Sequence, residues 1–195
     1  RRYSKEAKAA AKQGAKAAVE AAKANGWDEI KCIEIAGVQG DSTNTARMDG
    51  YREGITEAGG EFLDNETQYA NATADLAVTA MEGIMSKYPD GVAIICSNND
   101  DMALAAARTA KSNPNYAKTI FLGFDGQKSA CEAVAAGELT MTAAQNNFDI
   151  GYKAVETMVK ILKGEQYDKV VDTGTEIITK DNAEERLTKF NEWMK

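Results

Sequence analysis

Histidine is absent from this sequence altogether. Its absence removes the side chain that most often serves as a general base, as the partner of a serine or cysteine nucleophile, and as a zinc ligand. Enzymes can work without histidine, but its absence lowers the expectation of catalysis; the chain is expected not to be an enzyme and to hold no metal and no cofactor. Cysteine is scarce: Cys32, Cys96 and Cys131 are widely spaced, and no CxxC pair occurs. Cys32 and Cys96 sit inside the apolar runs KCIEI and AIICSN, so buried free thiols are expected; a Cys32–Cys96 bridge between neighbouring strands is allowed but not required. The two prolines form no proline-rich linker. Positive charge is in deficit, 23 Lys and Arg against 30 Asp and Glu, for a net charge of -7. Such a surface disfavours nucleic acid and anionic membrane as partners. No apolar run approaches the roughly 20 residues that a membrane-crossing helix needs.

What remains describes a globular chain, 44% hydrophobic and 27% charged. A chain of this length buries about 70% of its unfolded surface, enough to hold it together without metal or disulfide. It opens on RRYSKEAKAAAKQ, already in a helical pattern, which reads as a start in mid-protein. Residues 4–25 are rich in Ala and Lys and predict a helix with Ser4 as N-cap, Asn25-Gly26 as its stop, and its lysines on a solvated face. Short apolar runs then alternate with helical patterns: IKCIEIA, EFLDNETQYAN, GVAIICSN, TIFLGFDG and LTMTAAQNN are read as strands, with VVDTGTEIITKDN ahead of a terminal helix. This alternation predicts βαβ units, hence an α/β fold: a three-layer αβα sandwich around a mostly parallel sheet of five or six strands. No internal domain boundary is evident over residues 1–195.

In sheets of this kind ligands gather beyond the carboxyl ends of the strands. The loops predicted there are GVQGDSTNT, ETQYANAT, CSNND, GFDGQ and AAQNNFD. They bring Asp41, Asn44, Arg47, Asn71, Asn99, Asp125 and Gln145 to one edge. Carboxylates, amides and a guanidinium suit neutral polyhydroxylated ligands, because each pairs with two hydroxyls or with a donor and an acceptor together. GVQGDS lacks the GKS or GKT of a phosphate loop, and no GxGxxG follows the first strand. Asp100 and Asp101 stand at a predicted helix start, where they complement the dipole, and Asn98 or Asn99 is placed to cap it.

Four segments, in order and across nearly the whole chain, resemble one family. SNNDDMALAAARTA resembles the NDxMAxGAxxA segment of ribose- and galactose-type periplasmic binding proteins and of the related lactose-repressor-like regulators, and TIFLGFDG resembles the strand and turn that follow it. NTARMDGYREGITEAG and TAAQNNFDIGYKAVETMVKILKGE resemble the helix start upstream and the glutamine-bearing segment downstream. The resemblance assigns sugar-hydroxyl recognition to Arg47, Asn99, Asp125 and Gln145, all already selected by the loop argument. At the position where the family often stacks an aromatic on the sugar stands Ala72, so that Tyr69 substitutes for it or Asn71 makes a polar contact instead.

The resemblance implies the C-terminal lobe of a two-lobed, extracytoplasmic solute-binding protein that closes on a sugar and delivers it to an ABC permease. The alternative it leaves is the effector-binding core of a lactose-repressor-like regulator. It also implies a missing N-terminal lobe against which the segment around 146–164 packs. The apolar face Ile150, Ala154, Met158 and Ile161 is then expected to be exposed, repacked or covered by a second copy.

Overall fold

A computed structural model describes residues 2–194. The first helix, α1 (Arg2–Ala24), starts ahead of Ser4, which therefore lies in its first turn and does not cap it. Then follow β1 (Lys31–Ala36), α2 (Ser42–Glu57), the short β2 (Glu61–Phe62) and β3 (Gln68–Tyr69), α3 (Ala74–Lys87), β4 (Ile94–Ser97) and α4 (Asp100–Ala110). The chain continues through β5 (Ile120–Asp125), α5 (Lys128–Ala135), β6 (Met141–Gln145), α6 (Asn147–Leu162), β7 (Thr175–Ile178) and α7 (Ala183–Trp193).

The strands form one sheet in the order β2-β1-β4-β5-β6-β7, with β3 also paired to β1. All pairings are parallel except the last, β6 with β7. The expected single strand over EFLDNETQYAN is two fragments, because the polar 3-10 turn Asp64–Glu66 interrupts it; Glu61 pairs near the start of β1 and Gln68 near its end. That split, together with β7, gives seven strands among the described residues instead of five or six.

One face of the sheet is covered by α1 and α2, over Cys32, Ile94, Cys96, Ile120, Leu122 and Phe124. The other carries α3, α4 and α5 over Ile33, Ile35, Ile95 and Phe121, with Ile178 and Ala183 bringing in β7 and α7. This is the three-layer α/β sandwich expected. The alanines of α1 (Ala7, Ala11, Ala15, Ala18, Ala22) are buried, and small side chains there let α2 approach closely. At Gly54 of α2 a side chain would bring its Cβ to 2.6 Å from Ala15 Cβ and into the Lys12 carbonyl. The lysines of α1 are not simply solvated. Lys8 pairs with Glu53 at 2.5 Å, and Lys12 and Lys16 pair with Glu57 at 2.5 and 2.7 Å, lacing the two helices along their rim.

Cys32 and Cys96 are free and buried, with sulfurs 3.3 Å apart. Their strands neighbour each other, but Cys32 is level with Ile94 and Cys96 with Glu34, so the pair is diagonal. Helix α6 buries none of its residues.

Candidate functional site

The chain runs from β1 outward to β2 and then returns to place β4 on the other side of β1. Loops diverge at such a reversal and leave a crevice beyond the carboxyl ends of the strands. Backbone strain concentrates on the same edge. Among the described residues the non-glycine positions with positive φ are Asn71 (48°), Ala72 (61°) and Asp125 (115°), all beyond or at the ends of β3 and β5. Conformations of this kind cost on the order of 1–3 kcal/mol each and persist where the surroundings impose them.

Arg47, one turn into α2, reaches across the edge. Its Nη1 donates to the Asn98 carbonyl at 2.6 Å and its Nη2 to Asp125 Oδ1 at 3.1 Å. The guanidinium carbon lies 3.9 Å from the centroid of the Phe124 ring, a cation–π contact that orients the planar head. Gln145, at the end of β6, donates from Nε2 to the same Asp125 Oδ1 at 2.8 Å. Three segments far apart in sequence thus meet on one carboxylate. Burial pushes Asp125 up from its ordinary pKa, opposed by the Arg47 charge and by the Gln145 and Arg47 hydrogen bonds.

The other expected residues lie around this cluster in more structural positions. Asn99 caps α4, accepting from Met102 N at 2.9 Å, while its Nδ2 donates to the Ala72 carbonyl at 3.1 Å. The latter bond ties the β4–α4 turn to the strained Asn71-Ala72 turn. Asn71 is exposed, and so is Tyr69, at 42%. Asn44 is buried and accepts from Gly37 N at 2.7 Å, closing the β1–α2 loop, and Asp41 caps α2 through Asn44 N at 2.8 Å. Arg47 and Gln145 therefore both contact Asp125, Asn99 and Asn71 form a second patch, and Asn44 supports the loop between them.

Reasoning from sequence missed the tier beneath. Asn98 is buried; its Nδ2 donates to Glu34 Oε1 at 2.7 Å and its amide N–H to the Ile35 carbonyl at 3.1 Å. Glu34 is fully buried, and burial pushes it up to about 8. A lone acid inside KCIEIA was the visible signal, but an alternating strand can equally turn such a residue to water. Asp100 does more than complement a helix dipole. It is 1% exposed, accepts from Thr142 Oγ1 at 2.6 Å and from Gln127 N at 2.8 Å, and burial pushes it up to about 7. Arg186 of α7 donates to the Gln145 carbonyl at 2.7 Å and to that of Gly126, pinning the ends of β5 and β6.

Beside the cluster runs an apolar groove of about 520 Å³, between α6 and residues 168–175, lined by Ile150, Met158, Ile161, Val170 and Val171 and reaching Phe124 and Gln145. Its lining also includes polar side chains, among them Glu6, Gln145, Lys153, Thr157 and Asp168. Among the described residues no three or more Cys, Asp or Glu gather as metal ligands would. The polar edge can hold a ligand by charge-assisted and amide hydrogen bonds; the cluster contains no thiolate or hydroxyl poised beside a base.

The periplasmic binding protein domain matches residues 4–166. The ribose import binding protein RbsB of Haemophilus influenzae is 32% identical over 152 residues, covering 78% of this chain and 50% of that protein. Its counterpart in Escherichia coli K12 is 31% identical over 150 residues, covering 77% and 49%. The chain thus spans about half the length of the curated relatives it matches. Among solved structures, an ABC transporter solute-binding protein from Agrobacterium vitis with bound D-fucose superposes with a TM-score of 0.80 at 26% identity, over 94% of this chain and 61% of that one. One from Actinobacillus succinogenes 130z with bound D-allose has a TM-score of 0.83 at 20% identity, over 92% and 62%, which speaks for the fold alone. From the strand-edge cluster and from these matches together, the chain belongs to the periplasmic binding protein domain family.

Proposed function

We propose that this chain is the C-terminal ligand-binding lobe of an extracytoplasmic solute-binding protein that captures a sugar or related polyol for an ABC importer, with no catalytic step of its own. The observation that carries the reading is the convergence of Arg47 and Gln145 on Asp125 at the carboxyl edge of the sheet. Such a carboxylate accepts hydroxyl protons, while the guanidinium and the amide donate to ring and hydroxyl oxygens. Ribose import binding proteins among the relatives support a monosaccharide as ligand. Arg47, Asp125, Gln145 and Asn99 are the proposed contacts, with Asn71 at the rim and Asn44 holding the loop. The absence of an aromatic at Ala72 fits a ligand gripped more by its edges than by a stacked face.

A second lobe, supplied by the remainder of the protein, completes the site, and ligand stabilises the closed state by bridging the two. The test is a thermal-shift screen of the two-lobed protein against pentoses, hexoses and polyols. A ligand that binds only the native state raises its melting temperature by mass action. A rise of several degrees with one sugar is expected and identifies the ligand. No rise with any member of the panel refutes the reading.

A further inference from the structure

A fully buried acid, Glu34, lies beneath the strand edge. It lies in the middle of β1, fully buried on the face that α2 covers. Its Oε1 accepts from Asn98 Nδ2 at 2.7 Å, and its Oε2 has no hydrogen-bond partner among the described residues. Asn98 is itself a junction. Its backbone N–H bonds the Ile35 carbonyl, its side chain bonds Glu34, and its carbonyl accepts from Arg47 Nη1 at 2.6 Å. A fully buried acid with a single partner is costly to keep unless something depends on it. What depends on it here is the orientation of the residue against which Arg47 is held.

We propose that Glu34 is a positioning residue for ligand capture: by locking Asn98 it fixes the carbonyl that aims the Arg47 guanidinium at the ligand edge. This rests on the reading of the Arg47–Asp125–Gln145 cluster as the ligand face. Glu34 does not touch that face and acts only through Asn98. Around it, α2 contributes Asp49, Arg52 and the buried Tyr51, the turn before β3 contributes Asp64, and β4 contributes Cys96. Arg52 is already paired with Asp49 at 2.8 Å and with Asp64 at 2.6 Å, so its charge is largely spent on them. Burial therefore dominates, and Glu34 is held neutral to about pH 8. That gives the linkage a signature which packing alone does not have: ionising Glu34 must be felt at Arg47.

The test follows the Asn98 side-chain amide and the Arg47 guanidinium of the 195-residue chain, labelled with nitrogen-15, through a pH titration, and reads the response to D-ribose on the two-lobed protein. In the wild type both signals are expected to move together with one midpoint near about 8. Glu34→Gln, which keeps an acceptor for Asn98, is expected to abolish the step that the two signals share, leaving at Arg47 only the titration of its own partner Asp125, and to leave the response to D-ribose within about twofold of wild type. Glu34→Ala, checked for folding by circular dichroism, is expected to displace both signals and weaken the D-ribose response about tenfold, the loss that one broken buried hydrogen bond brings. An Arg47 signal that titrates identically in wild type and Glu34→Gln overturns the proposal. So does a folded Glu34→Ala chain whose Arg47 signal stays in place. A two-lobed wild type indifferent to every sugar of the panel refutes the ligand reading instead, and the Arg47 titration then still decides whether Glu34 positions it.

Discussion

Glu34 and Asp100 give the molecule an unusual dependence on pH at the level of single residues. Both are acids whose folded pKa stands above the ordinary value, at about 8 and about 7, because burial disfavours the anion. The folded state therefore binds more protons than the unfolded one between the ordinary carboxylate range and those values. Stability is then greatest at the acid end of that window and declines as pH rises through it. We expect denaturant midpoints to fall from pH 5 to pH 8, with Glu34 contributing on the order of a few kcal/mol. Glu34→Gln removes the ionisation and keeps the acceptor, so its midpoint should gain on wild type steadily as pH rises. Equal slopes for the two proteins would contradict this. The upper residues of the site were legible in the sequence because they sit in Gly- and Asn-rich loops after apolar runs. Asn98 and Glu34 were not, since nothing in a linear pattern tells which of two adjacent asparagines turns inward, or that the acid of β1 faces α2.

Helices α1 and α2 show how an element can be built around the absence of side chains. Gly54 lies in the interior of α2, where glycine costs about 1 kcal/mol relative to alanine. Here that cost is offset by contact: the missing Cβ would meet Ala15 Cβ at 2.6 Å and the Lys12 carbonyl. Gly83, inside α3, has nothing within 4 Å of its would-be Cβ. The two glycines should respond oppositely to the same change. Gly83→Ala is expected to stabilise by up to about 1 kcal/mol through helix propensity. Gly54→Ala is expected to destabilise by about 1–3 kcal/mol, because two backbones must separate to admit one methyl. Thermal melts of the two variants decide the matter, and a stabilised Gly54→Ala would refute the close approach. Helix existence and the alternation with strands were readable from periodicity and from the Gly and Asn stops. The splitting of the second strand was not, because it follows from how Glu61 and Gln68 each find β1, a long-range pairing that leaves no local mark.

At the scale of the whole molecule, α6 is the helix least engaged with the rest of the fold, touching it mainly where Phe148 stacks on Trp193 of α7 at 5.2 Å between ring centroids. Every other helix contributes to a buried layer, whereas α6 buries no residue and leaves Val155 64%, Met158 62% and Leu162 82% exposed. An amphipathic helix with an uncovered apolar face normally marks an interaction surface. That the segment around 146–164 packs on a first lobe is carried forward as a proposal. Two consequences separate a docking face from a poorly packed one. Residues so exposed stabilise the chain very little, so the double variant Met158→Lys with Leu162→Lys should melt within about 0.5 kcal/mol of wild type. The same change should sharply reduce binding of a hydrophobic dye to the isolated chain, because the dye needs the contiguous apolar surface that the lysines interrupt. A large loss of stability would mean that α6 packs against this chain's own sheet. Unchanged dye binding would place the accessible apolar surface elsewhere and remove the reason for assigning α6 to an inter-lobe contact.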